Sequence, residues 1–151
     1  LILPRETERV VSWIDEAVAK GAKLFGGGRL SATTLIPAVL FNPPTDAKVS
    51  QLEIFGPVTC VYEYEHIDQA IQSANALPFA FQASVFSEEL TPALKAAEGL
   101  EASTVLINDH TAFRTDWMPF AGLKQSGYGI GGIPWTMHEM SNEKMIVLKK
   151  N

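Results

Sequence analysis

Apolar residues recur at helical spacing over Arg5–Lys20, where Val10, Val11, Ile14, Ala17 and Val18 share one face. Pro4 suits the first turn, Glu6 and Glu8 favour its positive end, and Lys20-Gly21 closes it. Gly26-Gly27-Gly28 predicts a flexible loop. Thr34–Phe41 is strand-like, and Pro37 inside it predicts an edge position or a bulge. After Asn42-Pro43-Pro44, the run Val58–Tyr64 predicts a strong strand. Ile67, Ala70, Ile71, Ala74 and Leu77 form the next helical stripe, stopped by Pro78. Gln82–Phe86 predicts a short strand, and Leu90, Leu94 and Ala97 mark a third helix ended by Gly99. Ser103–Ile107 is a continuous apolar run, as expected of a strand covered on both faces.

Strand, helix, strand, helix, strand in that order predicts an α/β fold: a mostly parallel sheet with flanking helices. After Ile107 the character changes. Residues 108–133 hold Gly122, Gly127, Gly129, Gly131 and Gly132 without a regular period, which predicts a long functional loop. Pro134–Ser141 predicts a short helix, and Lys144–Lys149 a terminal strand.

Composition narrows the class. A chain of 151 residues with 46% hydrophobic content is one domain in size and has enough apolar side chains for a core. A net charge of −5 argues against a nucleic-acid surface. No apolar run reaches bilayer length and no signal peptide is visible, so no membrane partner is expected. One cysteine excludes an internal disulfide framework and fits a cytoplasmic location. The chain opens on Leu1-Ile2-Leu3-Pro4, without a methionine, and reads as a piece of something longer.

Two stretches carry the chemistry. In Glu53-Ile54-Phe55-Gly56-Pro57 an extended backbone would put Glu53 and Phe55 on one face. The carboxylate accepts hydrogen bonds from sugar hydroxyls, and a ring beside it packs on a flat heterocycle. The second stretch is Pro119-Phe120-Ala121-Gly122-Leu123-Lys124-Gln125-Ser126-Gly127. Gly127-Tyr128-Gly129-Ile130-Gly131-Gly132 matches a dinucleotide fingerprint only formally, because no strand precedes it and Pro134 follows at once. Gly122 to Gly127 has phosphate-loop spacing, but Tyr128 stands where the lysine belongs. Cys60 lies inside an apolar strand with no basic neighbour to lower its pKa, so it reads as a buried thiol. His66, His110 and His138 show no ligand spacing, so no metal site is expected. Arg114 is the candidate for gripping a carboxylate or phosphate; the competing reading is an ion pair with Asp116 or Asp109 that orders the loop. His110 shares that loop, and Phe113, Trp117 and Phe120 either wall an apolar pocket or anchor the loop to the sheet.

Together the two stretches resemble the downstream signatures of the NAD(P)-dependent aldehyde dehydrogenase superfamily. The similarity runs along the whole chain: Asp68–Pro78, with Asn75, resembles the family's D-x-A-I-x-x-A-N helix, and Val105–Gly132 its substrate loop and glycine block. The resemblance implies that residues 1–151 are the C-terminal portion of the catalytic domain. Glu53 and Phe55 would then contact the nicotinamide half of NAD or NADP, and Phe120, Arg114 and His110 the substrate. The strand at about 144–149 would reach a neighbouring subunit of a homo-oligomer. Gly129-Ile130-Gly131 replaces the usual G-R-E. With the Asn108-Asp109 and Arg114-Thr115-Asp116 loop, this looks closer to dehydrogenases of glyceraldehyde 3-phosphate, lactaldehyde and related small aldehydes. The family's nucleophilic cysteine, general-base glutamate, oxyanion asparagine and dinucleotide domain have no counterpart here, so no catalytic residue is expected and the segment alone should be inactive. The alternative is a non-catalytic truncated relative that acts as a binding or oligomerisation module.

Overall fold

Helix α1 (Pro4–Ala19) forms where the apolar spacing places it in the computed structural model of the chain, which describes residues 1–150. Its buried stripe is Thr7, Val10, Ile14 and Ala17, a spacing that keeps one helical face inward. Val18, counted on that face from the sequence, is 40% exposed. The Lys20 N–H closes the helix on the Glu16 carbonyl, and Gly21 leaves it at a positive φ of 107°.

The chain divides into two compact units, residues 1–64 and the residues from Glu65 onward. In the first, β1 (Lys23–Gly26), β2 (Ala38–Phe41) and β3 (Val58–Val61) form a sheet in that order. β1 is antiparallel to β2, and β2 is parallel to β3 with Leu40 opposite Cys60. Ala38 and Leu40 alternate onto the buried face. Leu40 is 0% exposed and shares its core with Val10, Ile14 and Ala17 of α1 and Val49 of the short helix α2 (Lys48–Gln51). Burying one such side chain contributes about 1.5–3 kcal/mol.

The second unit holds α3 (Ile67–Asn75), β4 (Phe79–Ala80), β5 (Gln82–Val85), α4 (Leu90–Gly99), β6 (Thr104–Ile107), β7 (Leu123–Lys124) and α5 (Ile133–Glu139). β5 and β6 run parallel across the α4 connection, and β4 pairs antiparallel with β7. The buried residues of α4 are Ala93 and Ala96, while Leu90 and Leu94 are 68% and 44% exposed. The alanine side therefore faces inward, opposite to the leucine count from the sequence. Close approach explains the choice: a Cβ at Gly99 would lie 3.1 Å from Ile71 Cγ2 of α3.

The sheet is not mostly parallel. Parallel pairs β2–β3 and β5–β6 stand beside antiparallel pairs β1–β2 and β4–β7, in three separate ladders. β1 ends at Gly26, the first residue of the glycine run expected to be loop, and its other residues carried no strand expectation; β4 and β7 are two residues each, too short to show alternation. β3 and β5 were expected in one sheet, but each pairs elsewhere. Pro37 precedes β2 rather than interrupting it, so β2 is the central strand and no ladder N–H is lost. The strand expected at Lys144–Lys149 is not formed: residues 142–150 carry no helix or strand, and Met145, Ile146, Val147 and Leu148 are 74–92% exposed. A strand needs an edge to bond, and none among the described residues meets it.

Surface ion pairs tie α1 to its surroundings. The Arg9 hydrogen bond holds Glu6 below the usual carboxylate range, and Lys20 does the same for Glu16 and Asp46. Carboxylates lowered in the folded state stabilise it fully above their unfolded values of about 3.9–4.3. That contribution disappears as pH falls through the lowered folded values. The thermal midpoint is therefore expected to drop between about pH 5 and about pH 3. Because Asp46 is exposed and Glu6 and Glu16 are partly so, about 1 M salt should remove most of that drop. An acid limb that ignores salt would contradict this origin.

Candidate functional site

The segment between α2 and β3 carries the first candidate pair. The extended strand that the sequence pattern predicts at Glu53-Ile54-Phe55 is not formed; the segment joins no ladder, and Phe55 adopts a left-handed φ of 50°. Burial nevertheless alternates. Ile54 packs on the core, while Glu53 is exposed and Phe55 is 79% exposed. An aromatic residue at positive φ carries strain of about 1–3 kcal/mol and persists only where its surroundings hold it. Arg9 Nη2 donates to the Ile54 carbonyl at 2.8 Å, and the Val58 N–H to the Gly56 carbonyl at 2.8 Å. Gly56 lies so close to α1 that a Cβ there would be 3.1 Å from Val10 Cγ2. Among the described residues, nothing bonds or pairs with the Glu53 carboxylate.

Cys60 sits on β3 against the same core, half-buried, with its Sγ donating to the Val49 carbonyl at 3.7 Å. Burial pushes its thiol up, so it stays protonated at neutral pH. That is the behaviour of a packing residue.

In the second unit, the stretch 108–133 is more ordered than its glycines implied. It contains β7 and an antiparallel bridge in which Phe120 and Gly131 exchange backbone hydrogen bonds of 3.0 and 2.8 Å. Asn108, at φ 58°, accepts from the Ser87 N–H and donates to the Ser87 carbonyl, fixing the start of the loop. The Lys124 ammonium donates to the carbonyls of Asn75 (2.7 Å) and Leu77 (3.1 Å) and pairs with the Glu101 carboxylate. Asn75 in turn donates to the Gly99 carbonyl at 2.7 Å and accepts from the Glu101 N–H at 2.9 Å. Ser126 Oγ accepts from the Ala80 N–H at 3.0 Å. A Cβ at Gly122 would meet the Ser126 backbone at 2.6 Å, so only glycine closes this turn. The lysine and serine of the second stretch are thus used to clamp the turn to the ends of α3 and α4.

The clamp leaves Phe120 and Arg114 presented together. The Arg114 guanidinium lies 4.2 Å from the Phe120 ring centroid, and that ring meets Phe81 edge-on at 4.9 Å and 89°. Among the described residues no carboxylate pairs with Arg114; Asp109 accepts from the His110 N–H instead. Arg114 and Asp116 line an open groove of about 380 Å³ with Ile133, Thr136, Met137 and Met140. His110 does not line it. Its Nδ1 accepts from the Ala112 N–H at 3.1 Å, which places the neutral ring's proton on Nε2. Phe113 and Trp117 also lie outside the groove, 47% and 68% exposed. No three His, Cys, Asp or Glu side chains cluster as metal ligands among the described residues, and no described helix is long and apolar enough to cross a membrane.

Residues 1–146 match the family model described as the aldehyde dehydrogenase family, and the chain belongs to that family. It is 38% identical to a 3-sulfolactaldehyde dehydrogenase of Priestia megaterium, over 98% of this chain and 31% of that protein. A lactaldehyde dehydrogenase of Methanococcus maripaludis is 36% identical over 98% of this chain and 32% of its own length. In structure, the chain superposes with a TM-score of 0.91 and 34% identity on a glyceraldehyde-3-phosphate dehydrogenase from Methanocaldococcus jannaschii complexed with NADP. That match covers 99% of this chain and 32% of the other. The chain therefore spans about a third of the length of the curated relatives it matches.

Two features escaped the sequence. Arg9 lies 45 residues from the carbonyl it holds, and nothing local marks it out from the other charges of α1. The clamp role of Lys124, Asn75 and Ser126 was equally hidden, although the motifs containing them stood out. Lys124→Met, which removes charge-assisted bonds to two carbonyls, is expected to lower unfolding free energy by about 1.5–3 kcal/mol. Gln125→Ala, whose side chain carries no such bonds, should stay within about 0.5 kcal/mol. Equal urea midpoints for the two variants would show that the clamp contributes nothing.

Proposed function

We propose that the chain is the C-terminal third of an enzyme that oxidises a small aldehyde to its carboxylic acid with NAD or NADP, and that these residues alone do not turn over. Family membership and the one-third coverage of its relatives support this reading. So does the protonated Cys60, which offers no thiolate for attack on a carbonyl. The residues fit a nicotinamide coenzyme: Glu53 keeps two acceptor oxygens free for ribose hydroxyls, and the exposed Phe55 ring offers an apolar face. The coenzyme, when bound, takes up the hydride that leaves the aldehyde carbon.

The substrate class rests on one observation, the guanidinium of Arg114 stacked on Phe120 without an acidic partner. A planar cation left free beside an apolar groove suits a carboxylate, phosphate or sulfonate on a short aldehyde. Phe120 does not line that groove and supports it through its stacking under Arg114. The names of the sulfolactaldehyde and glyceraldehyde-3-phosphate relatives point to anionic aldehydes of that size. His110 has no place in that groove, and the reading leans on Arg114 and Phe120. The exposed apolar run Met145–Leu148 supports a homo-oligomer in which it finds a strand edge on a second copy. A cytoplasmic location belongs to the same reading, from the single free cysteine.

Residues 1–151 mixed with NAD or NADP and an aldehyde panel should form no reduced coenzyme, while the longer polypeptide containing them should. If the longer polypeptide is inert across the panel, the chain is a binding or oligomerisation module. In the active polypeptide, Arg114→Ala is expected to raise KM for a phosphorylated or sulfonated aldehyde about 10-fold or more, and for lactaldehyde by less than about threefold. Equal changes for both would remove the case for anion recognition.

A further inference from the structure

We infer that Arg9 is a positioning residue for the coenzyme segment: its guanidinium holds the Ile54 carbonyl and so keeps Glu53 and Phe55 presented to solvent. This inference rests on the coenzyme reading of that pair. Glu53 and Phe55 flank a single half-buried residue, Ile54, so whatever fixes the Ile54 peptide fixes the directions of both. Packing alone leaves that peptide free to rotate about its anchored side chain. The Arg9 Nη2 bond to its carbonyl, 2.8 Å long, removes that freedom.

Arg9 is itself over-determined. Its Nε donates to Glu6 Oε2 at 2.7 Å, one helical turn earlier, and its guanidinium lies 4.5 Å from the Trp13 ring centroid, one turn later. A fork held on two sides by its own helix directs its Nη2 donor at a fixed point in space. Lysine has no such fork; its ammonium carries three donors, but on a flexible stem no rigid geometry fixes one of them on Ile54 when another is on Glu6. The held carbonyl sits immediately before Phe55, the residue at φ 50°. Without the guanidinium, the strained φ has a route to relax, and the ring and the carboxylate then sample other directions. Coenzyme binding would have to select the presented state from that mixture, which lowers the apparent affinity by its population.

The test uses the longer, coenzyme-binding polypeptide. Coenzyme dissociation constants are measured by calorimetry with NAD and NADP, alongside amide hydrogen exchange over residues 52–58 and the thermal midpoint. Arg9→Met, which keeps an apolar stem but removes the guanidinium and with it the contacts to Glu6, Trp13 and Ile54, should speed exchange across the segment. It should also weaken coenzyme binding about tenfold, the loss expected for one charge-assisted hydrogen bond. The KM for aldehyde should stay within about twofold. Arg9→Lys should not restore affinity; should Arg9→Met fail to fold, Arg9→Lys carries the same comparison. Glu53→Gln separates the two layers. If Glu53→Gln leaves coenzyme affinity unchanged, the coenzyme reading of the segment is wrong. If Glu53→Gln weakens binding but Arg9→Met does not, the positioning role is refuted. A loss in Arg9→Met that merely tracks a lowered fraction of folded protein likewise refutes it.

Discussion

The first unit depends on the fit between the buried stripe of α1 and the inner face of β2. Val10, Ile14 and Ala17 meet Leu40 and Ala38 in one core, which Ala22, Leu35, Ala47 and Val49 complete. The same helix face that closes this core also reaches the chain ahead of β3, because Val10 touches Gly56 while Arg9, the next residue back, reaches the Ile54 carbonyl. One helix therefore does two things. Its apolar stripe sets where the sheet lies, and the polar residue at the margin of that stripe sets the direction of the segment that exposes Glu53 and Phe55.

The second unit solves a comparable problem by polar means. Its helices bury few large side chains, and α4 offers alanines rather than leucines to its neighbours. Order in the loop comes instead from backbone carbonyls at helix ends. Such carbonyls lack partners within the helix, and a cation there is favoured by the helix dipole as well. Lys124 supplies that cation for the end of α3, Asn75 bridges α3 to the end of α4, and Ser126 takes the Ala80 N–H. The loop, so pinned, carries Phe120 at a fixed place, and Arg114 stacks on it. The residues that look most chemical in the sequence, a lysine and a serine among glycines, are the scaffold. The residue left free is an arginine that the motif itself does not contain.

Much of this was legible in the chain. The α1 stripe, the strand beginning at Val58, the helix from Ile67 and the β5-α4-β6 unit all follow from apolar spacing and from proline and glycine punctuation. The family resemblance was carried by short motifs whose residue types are unusual for plain core. Other elements were misread, among them the strand expected at Lys144–Lys149 and the extended backbone expected at Glu53–Phe55. β1 is four residues long and runs into the glycine run that begins at Gly26, the two-residue ladders β4 and β7 are below the length at which alternation has meaning, and Leu90 and Leu94 outweighed the smaller alanines that pack inward. The parallel sheet failed for a related reason. Strand order along the chain does not state which strands become neighbours, and here β3 and β5 join different ladders.

By itself, then, the sequence determined the longer helices, the strands β2, β3, β5 and β6, and the identity of the exposed pair, because helix and strand periods and turn residues act within a few positions. Tertiary structure alone decided what holds that pair in place and which charged side chains remain free. Arg9 and Ile54 are 45 residues apart, and Lys124 and Asn75 are 49. A hydrogen bond acts over about 3 Å, so its partners are chosen by how the chain folds back on itself, and no local pattern records that choice.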